Sequence, residues 1–264
     1  MTRRNHVNFH IGAPRIADRL VENTAGTQAV RSDKDIRVLK KVEYQQYFRS
    51  LVNGSSKVSE LQTDETEELN VFCEGLSAYN TVVASQHAMM GHPKQAFRQF
   101  KILPDAENRI ERLCGLFPEA TVDLHLVISP QEEYLLQTQT NDVTRLSFEK
   151  GLPSWFDLAF RIRNACPDRR LIIWDFSKPT AIALPFVMTM FSLDEGKMEF
   201  IKKPIHEDLT LQETLSKVVQ IEGVSQELSA ALDAQYSDDL TNIETLPDTV
   251  VIRSQDVPED FWLT

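Results

Sequence analysis

The sequence has few cysteines, and their spacing excludes two common kinds of stabilising site. Cys73, Cys114 and Cys166 are odd in number and far apart, and none belongs to a Cys-x-x-Cys pair. A disulfide framework or a structural zinc site needs paired or clustered cysteines. We therefore predict reduced, buried thiols. The histidines also lack the spacing of a metal site, so no metal site is expected.

Long apolar runs and an excess of positive charge are missing as well. The longest apolar stretch, residues 181–191, is interrupted by Pro185 and Thr189 and is too short to span a bilayer. The N-terminal residues lack the apolar core of a secretory signal. We therefore expect a cytoplasmic protein without membrane contact. The formal net charge of −11 would repel a phosphate backbone, so a nucleic-acid partner is not expected.

Short apolar segments alternate with segments of helical periodicity along most of the 264 residues. Strands are predicted at residues 7–11, 81–84, 122–128 and 170–174. Helices are predicted at residues 14–24, 33–51, 64–76, 104–117, 130–139, 153–165, 180–192 and 208–233. This alternation predicts a three-layer α/β/α fold with a mainly parallel sheet and a helical C-terminal portion. We expect one domain over residues 1–235 and an extended tail over residues 236–264.

The first strand leads into a turn shaped like a phosphate-binding loop. Residues 7–12 alternate apolar and polar side chains up to Gly12, and a helical pattern begins a few residues later. Backbone N–H groups and the helix dipole hold a phosphate at such a junction. The candidate phosphate contacts are Gly12, Ala13, Pro14, Arg15 and Arg19. A working loop needs small and hydroxyl residues after its cation, but Ile16 offers no hydroxyl and Asp18 brings a carboxylate.

Four segments together resemble a known family. They are HIGAPR at 10–15, VVASQHAMMGHP at 82–93, LHLVISPQEEYLLQTQ at 124–139 and LPSWFDLAFRIRNACPDRRLIIWDF at 152–176. In this order they resemble the bacterial sulfotransferase-like family of P-loop proteins. The resemblance covers roughly the first 175 residues. It implies a P-loop fold and the cofactor 3′-phosphoadenosine 5′-phosphosulfate, bound where the segments after three strands converge at one edge of the sheet.

The departures from the family pattern fall on the cofactor contacts. Arg15 stands where the family has Lys, and residues 16–19 replace Thr-Gly-Thr-Thr. Ser129 occupies the position of the Arg that grips the 3′-phosphate, and Gln137 that of its Ser partner. Each lost charge-assisted contact costs about 1.5–3 kcal/mol, and about 1.4 kcal/mol is a tenfold change in affinity. The resemblance therefore predicts the fold together with a lost or weakened cofactor site.

Among the histidines, His87 is the candidate catalytic base. It follows a predicted strand end, and a neutral imidazole can accept a hydroxyl proton near pH 7. The alternative is a loop histidine without a catalytic role. His10 and His125 lie inside predicted strands and are expected to pack or to form local hydrogen bonds. Arg15 is expected either to contact an anion or to pair with Asp18, and both readings stay open.

Three functions are compatible with these observations. The joint loss of cofactor contacts favours a pseudoenzyme with a binding or scaffolding role, whose partner is a small molecule or a protein. The first alternative is an active enzyme that moves a sulfuryl group from phosphoadenosine phosphosulfate to a hydroxyl of a small molecule or glycan. The second is a binder or transferase that uses another nucleotide or a sugar phosphate.

Overall fold

The computed structural model describes residues 5–12, 15–48, 63–85, 89, 97–98, 101–138, 151–216 and 225–258. The strands are β1 His6–Gly12, β2 Ile36–Val38, β3 Thr81–Ser85, β4 Phe97–Arg98, β5 Lys101–Ile102, β6 Thr121–Ile128, β7 Arg170–Asp175 and β8 Thr249–Ile252. The first helices are α1 Arg15–Ala25, α2 Gln28–Arg31, α3 Lys41–Glu43, which continues into a π-helical turn over Tyr44–Phe48, and α4 Thr63–Leu76. The later helices are α5 Ala106–Gly115, α6 Gln131–Thr138, α7 Trp155–Ala165, α8 Pro179–Phe191, α9 Met198–Ser216 and α10 Gln226–Ile243, with a 3₁₀ turn over Glu195–Lys197.

Six of these strands form a parallel sheet in the order β2-β3-β1-β6-β7-β8. In the register of the central strands, His10 lies opposite Ser85 on β3 and opposite His125 on β6. Helices cover both faces of the sheet, because two separate apolar cores pack against it. The predicted three-layer α/β/α fold with a parallel sheet and a helical C-terminal portion is confirmed.

The two cores lie on opposite faces of the sheet. The first core packs alternate strand residues, such as Val7, Phe9 and Ile11, against helices α4, α5, α6, α7 and α10. The second core packs the opposite side of the strands, including Val127 and Trp174, against α1, α2, α8 and α9. Successive strand residues point to opposite faces, so each strand supplies both cores.

Most of the sequence-predicted elements are present with shifts of a few residues at their ends. All four predicted strands occur, and α1, α4, α5, α6, α7 and α8 match predicted helices. The predicted helix at 33–51 is wrong, because Ile36 and Val38 belong to the edge strand β2 and only short helical turns follow. The predicted helix at 208–233 is also wrong. The chain instead forms α9 and α10, and the Ser225 hydroxyl begins α10 by accepting a hydrogen bond from the Leu228 N–H at 3.1 Å.

The end of the sheet domain differs from the extended tail that was expected over residues 236–264. Helix α10 continues to Ile243, and β8 then pairs with β7 as the sixth strand. Asp239 of α10 accepts hydrogen bonds from the Trp155 N–H at 2.7 Å, the Ser154 hydroxyl at 2.6 Å and the Gln131 amide at 2.9 Å. One buried carboxylate therefore joins α10 to the starts of α6 and α7.

The cysteines are free thiols, in agreement with the sequence prediction. Cys114 and Cys166 are buried, whereas Cys73 is half-buried. Burial raises the pKa of the Cys73 thiol to about 11, so this group stays protonated near neutral pH. None of the helices in the described ranges is long and apolar enough to cross a membrane.

Candidate functional site

A crevice is expected where β1 and β3 lie side by side, because helices that follow them in the chain pack on opposite faces of the sheet. Helix α1, after β1, packs in the second core, whereas α5, which lies between β3 and β6 in the described part of the chain, packs in the first core. In open parallel sheets, ligands bind outside the carboxyl ends of strands at such a switch point. The residues that end β1 and β3 are therefore the first place to examine for a site.

A hydrogen-bonded cluster of Asp18, Ser85 and His10 lies at this point. The Ser85 hydroxyl donates to Asp18 Oδ1 at 2.7 Å. His10 Nδ1 lies 2.8 Å from Ser85 Oγ and 3.1 Å from the same carboxylate oxygen. His10 is fully buried, Asp18 is 8% exposed and Ser85 is half-buried. Three polar side chains from β1, α1 and β3 thus share one small, largely dehydrated volume.

The geometry determines which ring nitrogen of His10 carries a proton. The Ser85 hydroxyl donates its only proton to Asp18, and an ionised carboxylate can only accept hydrogen bonds. His10 Nδ1 must therefore be the donor to the two oxygens that it faces. His10 Nε2 is buried and has no hydrogen-bond partner within the described part of the chain. Because one nitrogen faces both oxygens, the ring cannot relay a proton from Ser85 to Asp18, which excludes a Ser-His-Asp triad built from these three residues.

Asp18 also lies in the first turn of α1, where an anion is favoured. The unpaired N–H groups of a helix start and the helix dipole stabilise a negative charge within the first turn. In a phosphate-binding loop that charge belongs to the ligand. Here the chain supplies it through Asp18, and Ser85 and His10 donate to it. The chain therefore places an internal carboxylate in the first turn of α1, at the helix end that favours negative charge.

A cavity of about 830 Å³ opens beside this cluster. Asp18 and Ser85 belong to its lining, and most of the rest comes from α1, α2, β2 and the residues that follow β2, together with Asp33 and Tyr79. Its basic lining residues are Arg19, Arg31, Arg37, Lys40 and Lys41. Three acidic residues line it as well. Because the five basic residues outnumber them, the cavity carries an excess of positive charge, although the net charge of the chain is −11.

A second series of hydrogen bonds joins buried polar side chains of the neighbouring strands β7, β6 and β1. Trp174 Nε1 donates to His125 Nδ1 at 3.1 Å, and His125 Nε2 lies 3.1 Å from Asn8 Oδ1. Asn8 Nδ2 donates to the Met190 carbonyl of α8 at 2.8 Å. An indole N–H only donates, so His125 Nδ1 accepts and Nε2 carries the proton. Burial lowers the pKa of His125 to about 3, which keeps this ring neutral at physiological pH.

Several residues predicted as site residues fall outside the description. Ala13, Pro14 and His87 lie outside the described residues, and the side chains of Arg15 and Gln137 do as well. Gly12 ends β1 at a φ of +111°, and a Cβ there would lie 2.5 Å from the Val127 carbonyl oxygen. Position 12 therefore requires glycine, because the backbone at the end of β1 lies too close to β6 for a side chain.

The remaining predicted residues have different surroundings. Arg19 is exposed on α1 and lines the cavity together with Asp18. Ser129 follows β6 and is fully buried, and its carbonyl accepts a hydrogen bond from Trp155 Nε1 at 2.8 Å. A direct contact of the Ser129 hydroxyl with a cofactor is therefore excluded in this conformation. The structure brings Gly12, Arg19 and Asp18 to one region, and it places Ser129 two strands away from Ser85.

Sequence reasoning missed two parts of this region. It predicted no role for the Ser85 hydroxyl, which donates a hydrogen bond to Asp18. It also predicted no role for Lys40 and Lys41, although both line the cavity. The signal for the second was the alternation of Ile36 and Val38, which marks a strand before the two lysines. Within the described ranges, no group of His, Cys, Asp and Glu side chains is arranged to hold a metal ion.

The chain matches no protein-family model, no curated protein and no solved structure. The resemblance to the sulfotransferase-like family therefore stays a prediction from the four sequence segments. What stands independently is the parallel sheet, the switch point between β1 and β3, the internal carboxylate and the basic cavity.

Proposed function

We propose that this chain is a divergent sulfotransferase-like protein that has lost its phosphoadenosine phosphosulfate site and acts in binding or scaffolding. The observation that carries the proposal is the Asp18 carboxylate in the first turn of α1, held by Ser85 and His10. A cofactor phosphate at the same helix start would meet this charge at close range. Two unit charges about 5 Å apart repel by about 3 kcal/mol at an effective dielectric constant of about 20.

The burial of Ser129 supports the same proposal from another part of the sheet. The family resemblance assigns this position to a contact with the 3′-phosphate, but the residue is fully buried and its carbonyl is bonded to Trp155. The burial of Ser129 therefore supports a lost contact at the 3′-phosphate end of the expected cofactor. The free cysteines favour a cytoplasmic location, where thiols stay reduced.

The test is calorimetric titration with 3′-phosphoadenosine 5′-phosphate at protein concentrations that resolve millimolar affinity. We expect wild-type protein to bind no tighter than the millimolar range. Asp18→Asn keeps the shape of the side chain and removes its charge, so affinity should rise by about tenfold or more. Ser85→Ala is the matched control, because it removes a hydrogen bond from Asp18 and leaves the charge, and it should not raise the affinity.

A contrary result is equally well defined. Micromolar binding by the wild-type protein, weakened about tenfold or more by Arg15→Ala, would overturn the proposal. It would mean that the turn after β1 still holds the cofactor, and the active transferase would then become the better interpretation. In that case loss of sulfuryl transfer in His87→Ala would identify the base.

The basic cavity favours a second candidate function, in which the chain binds a different anionic ligand. Its cationic lining lies beside the blocked helix start, and Ser85 belongs to both the cavity and the Asp18 cluster. This candidate agrees with the loss of the family cofactor, because the cations that line the cavity come mainly from α2, β2 and the residues after β2.

A further inference from the structure

We infer that the cavity between α1, α2 and β2 binds a small molecule that carries a phosphate monoester on an apolar or aromatic body. This inference goes beyond the proposed function, since it rests on cavity residues whether or not the turn after β1 binds a cofactor. The argument uses the charge of the lining, the partners that its charged groups already have, and the apolar surface between them.

The charges of the lining are the first step. Five basic and three acidic side chains line the cavity, which leaves two positive charges in excess. A phosphate monoester carries between one and two negative charges near neutral pH, whereas a sulfate monoester carries one. The excess therefore matches the phosphate ester better. A local excess of one sign of charge also attracts ligands of the opposite sign, even when the whole protein repels them.

The second step is that two of the three acidic groups already have internal donors. Asp33 pairs with Lys197, and the hydrogen bond from Lys197 is the main reason why the pKa of Asp33 is lowered. Asp18 accepts from Ser85 and His10. The charge of Asp33 is therefore matched by a lysine outside the lining, whereas Asp18 keeps its charge and remains one of the three acidic groups in the count.

The basic side chains from α2, β2 and the residues after β2 form few ion pairs within the described part of the chain. Arg37 pairs with Glu43. Arg31, Lys40 and Lys41 are exposed and form no ion pair with any residue that the structure describes. An exposed pair of lysines at the start of α3 would ordinarily be a solvated surface. Both lysines line the same cavity as Arg31, however, and the inferred anion site uses these three cations.

The third step is the apolar surface between the charged groups. Val21, Val30, Ile36 and Val38 line the cavity, and all four belong to the second core or pack against it. Tyr79 adds an aromatic ring to the lining. Ligand sites combine a mainly apolar wall with a few convergent polar groups, and about 830 Å³ is large enough for a small aromatic or sugar ester.

The experiment is calorimetry with phenyl phosphate as the probe, alongside phenyl sulfate and inorganic phosphate. Phenyl phosphate should bind more tightly than either, because only it combines the aromatic body with the higher charge. Arg31→Glu and Lys41→Glu should each weaken its binding about tenfold, and added salt should weaken it further. Both residues are exposed, so the variants should keep the wild-type melting temperature and circular dichroism.

Matched variants separate the cavity from the charge of the whole protein. Lys203→Glu makes the same change in net charge at an exposed position of α9, outside the cavity lining, and should leave binding unchanged. Tyr79→Ala should weaken phenyl phosphate several-fold and leave inorganic phosphate unaffected, because it removes an aromatic ring of the lining and none of its cations. Phenyl phosphate binding that survives Arg31→Glu and Lys41→Glu, or the absence of binding by all three probes, would overturn the inference.

The same variants distinguish this inference from the proposed function. Binding of 3′-phosphoadenosine 5′-phosphate that is weakened by Lys41→Glu and insensitive to Arg15→Ala would belong to the cavity. That result would support the present inference and leave the loss of the cofactor turn standing. The reverse pattern would overturn the proposed function and contradict the assignment of this anion to the cavity.

Discussion

The two faces of the central strands β1 and β6 differ sharply in chemistry, although both are buried. On the first face, β1 presents Val7, Phe9 and Ile11, and the neighbouring strand continues the same apolar surface. On the second face, the same two strands present polar side chains. These are Asn8, His10, Asp123 and His125, each buried or nearly so.

The two faces are stabilised by different interactions. Apolar side chains on the first face gain from contact area, which tolerates many arrangements. Polar groups on the second face must each find a partner, because a buried polar group without one is costly. Burial opposes ionisation of Asp123, yet hydrogen bonds from His6 and Arg170 outweigh it and hold the pKa of Asp123 below its ordinary value.

The polar face also leads directly to the candidate site. Asn8 and His125 are hydrogen-bonded on the second face, and His10, two residues after Asn8 on β1, belongs to the cluster with Asp18 and Ser85. The strand register that places His10 opposite Ser85 thus sets which two donors reach the Asp18 carboxylate. Three predictions test the contrast between the two faces.

The largest effect is expected on the apolar face. Phe9→Ala removes a fully buried ring that lies 5.7 Å from the ring of Phe117, and it should lower the free energy of unfolding by about 3–5 kcal/mol. Denaturant titration measures this change. Phe9→Leu is the matched control and should cost clearly less. A loss below about 1 kcal/mol for Phe9→Ala would contradict a close-packed first core.

On the polar face, the expected effect depends on pairing rather than on volume. Asn8→Ala leaves the Met190 carbonyl and the His125 Nε2–H without their partner, so the free energy of unfolding should fall by about 2–4 kcal/mol. A double-mutant cycle with His125→Leu measures the pairing itself. The two losses should be non-additive by about 1 kcal/mol, and strict additivity would show that the hydrogen bond does not couple these side chains.

The smallest effect is the pH dependence of stability from His125. Its pKa is about 3 in the folded protein, mainly because of burial, and 6.5 in the unfolded chain. The unfolded chain therefore takes up the proton first as the pH falls, and stability is lost below pH 6.5. The loss should be about 1 kcal/mol between pH 6.5 and 5.5, where few carboxylates titrate.

His125→Gln provides the comparison for this pH effect. Glutamine does not titrate, so the slope of unfolding free energy between pH 6.5 and 5.5 should fall by the contribution of His125. Denaturant titrations of both proteins at the two pH values give the slopes. Equal slopes would mean that His125 is protonated in the folded state as readily as in the unfolded chain.

Sequence reasoning predicted the layers of the fold better than its edges. Residues 7–11 and 122–128 are strongly apolar or alternating, and they form the central strands. The edge strands β2 and β8 have only three and four residues, and their side chains are partly exposed, so their pattern is weak. Because a helix was predicted over β2, the position of Lys41 in the lining of the cavity was not predicted.

The candidate site was predictable in part. A carboxylate at Asp18 was expected near the start of α1, because local spacing places it there. Its partner Ser85 is 67 residues away, and the contact depends on β3 lying beside β1 in the sheet. The order of the strands is a property of the whole fold, so no local pattern contains it. Ser129 shows the converse, since burial beneath Trp155 depends on how α7 packs.

The glycine that ends β1 has a consequence for interpreting sequences of this kind. Gly12 adopts a φ of +111° and passes so close to Val127 that any side chain would collide with the backbone of β6. This constraint comes from strand packing and requires no ligand at the end of the strand. A glycine after the first strand of a parallel sheet is therefore, by itself, weak evidence for a phosphate-binding loop.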